Sequence, residues 1–338
     1  MKFYGKAPVR ISLCNGGDTD YYVDILKWTN LINATLDSNY YLCEVEEKPQ
    51  NFIDYFYRNV FLKTEKYKKI ENLEEEKELN LITETIKEIT PKFKGTIKVW
   101  TNVPEKSGLG GSSSLVVSLI KALIKTTNIA HITPEEIAWL AYKIERITLG
   151  IKGGYQDQWA AAFSGGINYL EFKKNNVFIE PLWLSESLMK KLEQNIVLFF
   201  LESRKGDSGN IHKEMEKKAK MKKEEDIKVM LEKRENVTKT REVLLKGDIR
   251  KFAELLRIEH ENKLKLVKNL LTSKTDKIYS TAMQNGAIAG KISGAGSGGC
   301  AFFVNLNKNK NKFVKKMNEV GCTHIPIKLQ RLNSMGRI

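Results

Sequence analysis

The sequence has little of what would place a chain in a membrane or outside a cell. Its longest purely apolar run, Ile196 to Leu201, is far short of the roughly 20 residues that cross a bilayer. No apolar stretch follows the charge in Met1-Lys2-Phe3-Tyr4-Gly5-Lys6, so no signal peptide is expected. Only four cysteines occur in 338 residues (Cys14, Cys43, Cys300, Cys322), far apart and never as CxxC. Such spacing argues against a zinc ribbon, a redox dithiol or a disulfide framework, and points to a reducing cytoplasm. His131, His212, His260 and His324 show no mutual ligand spacing. Seven prolines and 23 glycines are too few for a collagen-like or low-complexity chain.

What is present suits a globular protein of about two domains. Hydrophobic residues make up 41% and charged residues 29%. Lys and Arg (56) exceed Asp and Glu (41), a formal net charge of +15. An excess of this size raises the possibility of an anionic partner. The lysines, however, mix with glutamates, and the basic stretch Lys213 to Lys223 carries no interleaved aromatics. The reading is a solvated surface, with no nucleic-acid or membrane partner.

Strands are expected at Ala7–Cys14, Leu31–Leu36, Tyr40–Val45, Gly95–Thr101, Ile167–Phe172 and Asn195–Leu201, and on both sides of the glycine-rich stretch within Lys291–Val304. A last strand is expected at Thr323–Leu329. Residues 64–90 space their apolar positions like a helix closed by Pro91, and residues 211–270 read as a long helical region. Thr133-Pro134-Glu135-Glu136 is a helix start with a capping box. A domain boundary is expected near 172–195, close to the turn at Lys173–Asn176.

Ser107-Gly108-Leu109-Gly110-Gly111-Ser112-Ser113-Ser114 lies between a strand and an apolar helix. Glycines let successive backbone N–H groups converge on an anion, and the helix adds unpaired N–H groups and the positive end of its dipole. This is the chemistry of a phosphate cradle. Neither a Walker A loop nor a GxGxxG fingerprint is present.

Three segments, in order, resemble the GHMP small-molecule kinases. They are Ala7-Pro8-Val9-Arg10-Ile11-Ser12-Leu13 with Gly16-Gly17-Asp18-Thr19-Asp20-Tyr21; Pro104 to Ser114; and Lys291-Ile-Ser-Gly-Ala-Gly-Ser-Gly-Gly-Cys300. Gly154-Tyr155-Gln156-Asp157-Gln158-Trp159 with Gly165-Gly166-Ile167-Asn168-Tyr169 is most similar to the sugar-kinase branch that acts on heptose 7-phosphate. Asn15 and Asp18 in the first loop, and Ser164 before Gly165, depart from that pattern.

The resemblance implies an α+β fold in two domains, residues 1–180 and 181–338. The first would be a mixed α/β domain and the second a ferredoxin-like α/β sandwich, with the active site between them and the last strand possibly packing back on the first domain. It implies an ATP- and Mg²⁺-dependent sugar kinase, cytoplasmic, monomeric or homodimeric, whose partner is a small sugar or sugar phosphate. A C1 kinase of another sugar (galactose-, fucose- or uronate-like) and a non-catalytic sugar or nucleotide sensor on the same fold are the alternatives.

By the same resemblance, Asp157 is the base and Arg10 lies beside it and the transferring phosphate. Ser107, Gly108, Leu109, Gly110, Gly111, Ser112, Ser113 and Ser114 hold nucleotide phosphates. Ser112, with Ser113 next in line, and Glu145 bind magnesium. Gly17, Asp18, Thr19, Asp20, Gly294, Ala295 and Gly296 contact the substrate. The polar loop at Arg204, Lys205 and Ser208 would suit a substrate phosphate, or simply face solvent.

Overall fold

A computed structural model of the chain describes residues 1–16, 19–76, 78–127, 129, 131–174, 176–203, 212–213, 216–217, 219–221, 223–267, 270–294, 296–307 and 309–332, with Thr19 and Asp20 described by backbone alone. The first sheet has seven strands in the order β4-β3-β5-β2-β6-β7, with β1 also pairing β2. These are β1 (Lys2–Cys14), β2 (Trp28–Glu47), β3 (Ile53–Asn59), β4 (Thr64–Ile70), β5 (Gly95–Thr101), β6 (Ile167–Lys173) and β7 (Asn176–Pro181). Helix α1 (Thr19–Leu26) links β1 to β2, and α2 (Asn80–Ile89) links β4 to β5. Then α3 (Gly111–Leu123), α4 (Pro134–Tyr142), a π-helical turn (Lys143–Thr148) and α5 (Gln156–Phe163) lead to β6.

The second half runs α6 (Glu186–Asn195), β8 (Ile196–Glu202), α7 (Glu224–Lys246), α8 (Ile249–Leu266), α9 (Ser273–Gln284), β9 (Ala287–Ile292), β10 (Gly299–Asn305), α10 (Lys310–Glu319) and β11 (Thr323–Ile325). Its sheet has the order β11-β8-β10-β9, all antiparallel. Strand–helices–strand–strand–helix–strand in that order is the split βαβ arrangement. The α+β, ferredoxin-like expectation therefore holds.

Several local expectations change. The strands expected at Leu31–Leu36 and Tyr40–Val45 are one strand, β2, whose two ends pair β6 and β5 while β1 runs alongside with a register shift at Pro8/Val9. Proline donates no ladder hydrogen bond, which is why the irregularity falls there. Residues 64–90 are not a single helix. Thr64–Ile70 is an edge strand rich in lysine and exposed almost throughout, and only Asn80–Ile89 is helical. Charge on an edge strand discourages further pairing, and with both faces exposed it leaves no alternation to read. β3 had not been expected at all. Thr133 caps α4 with the reciprocal Glu136 contact, as its sequence required. Lys173 pairs with Asn176 within the first sheet, so that turn is a hairpin of the sheet and not a junction.

One apolar core runs through both halves, from Val9, Ile11 and Leu36 to Leu192, Val237, Phe252 and Phe302. A second lies between the first sheet and α3–α5, around Val116, Ile120 and Trp159. The last strand stops at Ile325. After Pro326 the chain crosses to the first sheet, where Asp37 N donates to Lys328 O (2.7 Å) and Gln330 N donates to Thr35 O (3.0 Å).

His260, on α8, is buried and stacks on Tyr279, with ring centroids 4.4 Å apart. Burial, and then Lys263 and Lys291, pull its imidazole down to about 4. The unfolded imidazole takes up its proton near pH 6.5, while the folded one stays neutral. Stability is therefore lost as pH falls from about 6.5 toward 4, by about 3 kcal/mol at 1.36 kcal/mol per unit. Urea unfolding at pH 7.5 and pH 4 should show this slope reduced by that amount in His260→Phe, which keeps the stack.

Candidate active site

Three pieces of chain meet at the end of the first sheet: β1 with Arg10, the loop from β5 into α3, and the start of α5. Arg10 N donates to Leu109 O at 3.0 Å, so the loop continues the pairing of β1. The Arg10 side chain is 4% exposed and that of Asp157 21%. Nε and Nη2 both donate to Asp157 Oδ1, at 2.7 and 2.5 Å, and Nη1 donates to Gly108 O at 2.7 Å. One guanidinium thus orients the carboxylate and the glycine-rich loop together, using the fixed fork that lysine lacks.

Gly110 is the N-cap of α3, in the left-handed region at φ +81°. A Cβ there would stand 3.2 Å from Asp157 Cγ. Glycine therefore lets the carboxylate sit over the start of α3. No side chain caps that helix and its first turn has no acidic residue. Its leading N–H groups and dipole are left for an anion.

The three serines divide, because successive helical residues point about 100° apart. Ser112 lines the cleft. Ser113 is buried and donates to Glu145 Oε2 at 2.6 Å. Ser114 donates to Pro8 O at 2.7 Å and ties α3 to β1. The hydroxyl that meets Glu145 is therefore that of Ser113, where Ser112 had been expected, and Ser114 is structural. Leu109 buries its side chain in the core. Glu145, fully buried in the π-helical turn, also accepts from Gln158 Nε2 at 2.5 Å, while its Oε1 has no hydrogen-bond partner.

The third motif closes the site from the second half. Cys300 N donates to Ser107 O at 2.8 Å. A Cβ on Gly299 would meet that same oxygen at 2.6 Å, and φ there is +82°. Gly294 lines the cleft, and Gly296 stands against Leu270, where an added Cβ would come within 2.4 Å of Leu270 Cδ1. Gly17, Asp18, Ala295, the side chains of Thr19 and Asp20, and the loop at Arg204, Lys205 and Ser208 lie outside the described residues.

The cleft encloses about 810 Å³. Arg10, Lys66, Lys106, Arg146 and Lys152 line it with Glu78, Glu105 and Asp157, a positive balance that favours an anion. Tyr41, Tyr55 and Tyr57 also line it. Tyr57 donates to Glu105 Oε1 at 3.0 Å. Burial pushes the Tyr41 phenol up to about 12, and raises those of Tyr55 and Tyr57 as well, so the wall is neutral. Sequence reasoning missed it because Tyr55 and Tyr57 lie on the unrecognised β3, although their spacing of two was the available signal.

Residues 80–165 match GHMP kinases N terminal domain, and residues 240–321 match GHMP kinases C terminal. A D-glycero-alpha-D-manno-heptose 7-phosphate kinase of Campylobacter jejuni is 33% identical over 322 residues, 93% of this chain and 92% of that protein. The chain belongs to the GHMP kinase family. It is an ATP-dependent phosphotransferase acting on a sugar, and the Arg10–Asp157 pair, the glycine loop and the third motif stand at one cleft of that kinase.

Among solved structures, this kinase is similar to a D-glycero-D-manno-heptose 1-phosphate kinase from Bacteroides thetaiotaomicron, with 29% identity, a TM-score of 0.76, and 98% and 97% of the two chains covered. A Lactococcus lactis galactokinase complexed with galactose shares the fold at a TM-score of 0.75 and 18% identity, covering 98% of this chain and 94% of its own.

Gly110→Ala tests the close approach. The added methyl should push the Asp157 carboxylate by a few tenths of an ångström and lower kcat, by less than the roughly 10²-fold that a 1 Å misplacement costs. Left-handed strain of about 1–3 kcal/mol should also lower Tm. Steady-state kinetics and thermal unfolding measure both.

Proposed function

We propose that this kinase transfers the γ-phosphoryl group of ATP to the anomeric hydroxyl of D-glycero-D-manno-heptose 7-phosphate. The observation that carries the chemistry is the Arg10–Asp157 pair standing over the uncapped start of α3. The acceptor rests on the end-to-end likeness to the Campylobacter jejuni heptose 7-phosphate kinase.

In this reading Asp157 accepts the proton of the attacking hydroxyl, while Arg10 holds its Oδ1 and leaves the other carboxylate oxygen for the acceptor. The N–H groups at the start of α3, with Ser112, bind the β- and γ-phosphates and meet the charge that builds on the phosphoryl oxygens. Lys106, Arg146 and Lys152 draw the polyphosphate in. The neutral tyrosine wall takes the apolar base.

The residues present fit a magnesium ion. Ser113 and Glu145 are hard oxygen donors, and Glu145 Oε1 is buried without a hydrogen bond. One carboxylate and one hydroxyl suit an ion that keeps several waters and phosphate oxygens. Such an ion, when bound, neutralises charge on the β- and γ-phosphates.

Coupled ADP release with ATP and Mg²⁺ across free sugars and sugar phosphates tests the acceptor. Turnover should be greatest with the heptose 7-phosphate; turnover confined to galactose-, fucose- or uronate-like sugars would move the acceptor but keep the chemistry. Asp157→Asn should lower kcat about 10²- to 10⁴-fold, the usual worth of a general base, with ATP still bound by calorimetry. A variant keeping most of its activity would remove Asp157 from this role.

A further inference from the structure

Three lysines of the second half are buried beside the site, and one of them reaches into the first half. Lys291, on β9, is 2% exposed. Its Nζ donates to Asn15 O at 2.7 Å and to Ser12 O at 3.1 Å, and lies 3.4 Å from Glu259 Oε1. Glu259, on α8, is fully buried and also faces Lys233 Nζ at 3.7 Å. Lys263, from the same helix, donates to Ile292 O and Gly294 O and so holds the strand end that carries Lys291.

A buried ammonium is costly, and an apolar side chain of similar volume often stabilises as well or better. What an apolar side chain lacks is a donor for the two carbonyls where β1 ends. That stretch has little latitude. Asn15 takes φ +56° and is tied by its side chain to Asn30 O at 2.7 Å. Ser12 Oγ donates to Gln156 Oε1 at 2.8 Å, beside Asp157. A Cβ on Gly16 would stand 2.5 Å from Gln156 Nε2.

We propose that Lys291 is a positioning residue for the sugar acceptor: from the second half it fixes the Ser12–Gly16 turn against the segment that carries Asp157. The inference rests on the sugar-kinase reading for its kinetic consequence and on the geometry alone for its effect on the turn.

The test compares wild type, Lys291→Met and Lys233→Met. KM is measured for heptose 7-phosphate and for ATP, with deuterium exchange over peptides spanning Ser12–Gly16. In Lys291→Met the acceptor KM should rise about ten- to a hundredfold, as for lost charged hydrogen bonds, with ATP KM changed less than about twofold. Exchange over Ser12–Gly16 should quicken. Lys233→Met disturbs the same buried carboxylate and should lower Tm, yet leave acceptor KM and that exchange near wild type. Unchanged acceptor KM and exchange in Lys291→Met, equal rises for both substrates, or equal effects from the two variants, would overturn the proposal. If Lys291→Met does not fold, the triple Lys233→Met/Glu259→Leu/Lys291→Met removes the buried charges as a set and takes the same measurements. Should the wild type turn over no sugar, the functional reading fails, and the exchange still decides the role of Lys291.

Discussion

The site hangs on a single guanidinium. Arg10 is buried on β1, and its side chain reaches Asp157 on α5 and Gly108 in the loop before α3. Those two partners come from segments 147 and 98 residues further along the chain. No other side chain described here bridges them. Taking such a charge out of water costs several kcal/mol unless its hydrogen bonds are made; here three of the five N–H groups have partners. The consequence is geometric. The Asp157 carboxylate is held by one oxygen, and the glycine loop is held by the carbonyls of Gly108 and Leu109.

Backbone contacts do most of the rest. Leu109 O receives Arg10 N, Ser107 O receives Cys300 N, and Lys291 grips two carbonyls of the β1 terminus. In each case a carbonyl of the first half meets a donor that packing cannot slide. This explains why glycine is required where the third motif touches the loop: at Gly299 a methyl group would occupy the place of the oxygen it must approach. The anchors around the cleft are thus main-chain carbonyls, while the cleft itself is lined largely by side chains of the first half, joined by His212 and Gly294 from the second.

Much of this could be read from the sequence because glycine and proline constrain the backbone locally. The loop at Ser107–Ser114, the capping box at Thr133 and the third motif depend on neighbours within a few residues, and the order of the Ala7–Tyr21 segment, the Pro104–Ser114 loop and the third motif carried the family resemblance. Asp157, Arg10 and Glu145 were legible by likeness. Which serine meets Glu145 was not, since one residue of helical phase decides it. Nor were Tyr41, Tyr55 and Tyr57, whose common wall exists only because β2 and β3 both lie beside β5. The Lys233–Glu259–Lys291 group was hidden for a plainer reason. A buried lysine looks in sequence like any of the surface lysines that make this chain basic.

The stretch after Pro326 has a consequence for how the molecule is made. Ser38 Oγ contacts Pro326 O and Lys328 N, groups 288 and 290 residues away in sequence. Leu36 pairs with Leu329. During synthesis, which proceeds from the N-terminus at about 5–20 residues per second, β2 leaves the ribosome well before the partner for its middle. That partner follows 290 residues later. For about 15 to 60 seconds at those rates, the centre of the first sheet waits with exposed carbonyl and amide groups, a period in which a chaperone or a neighbouring nascent chain has its opportunity.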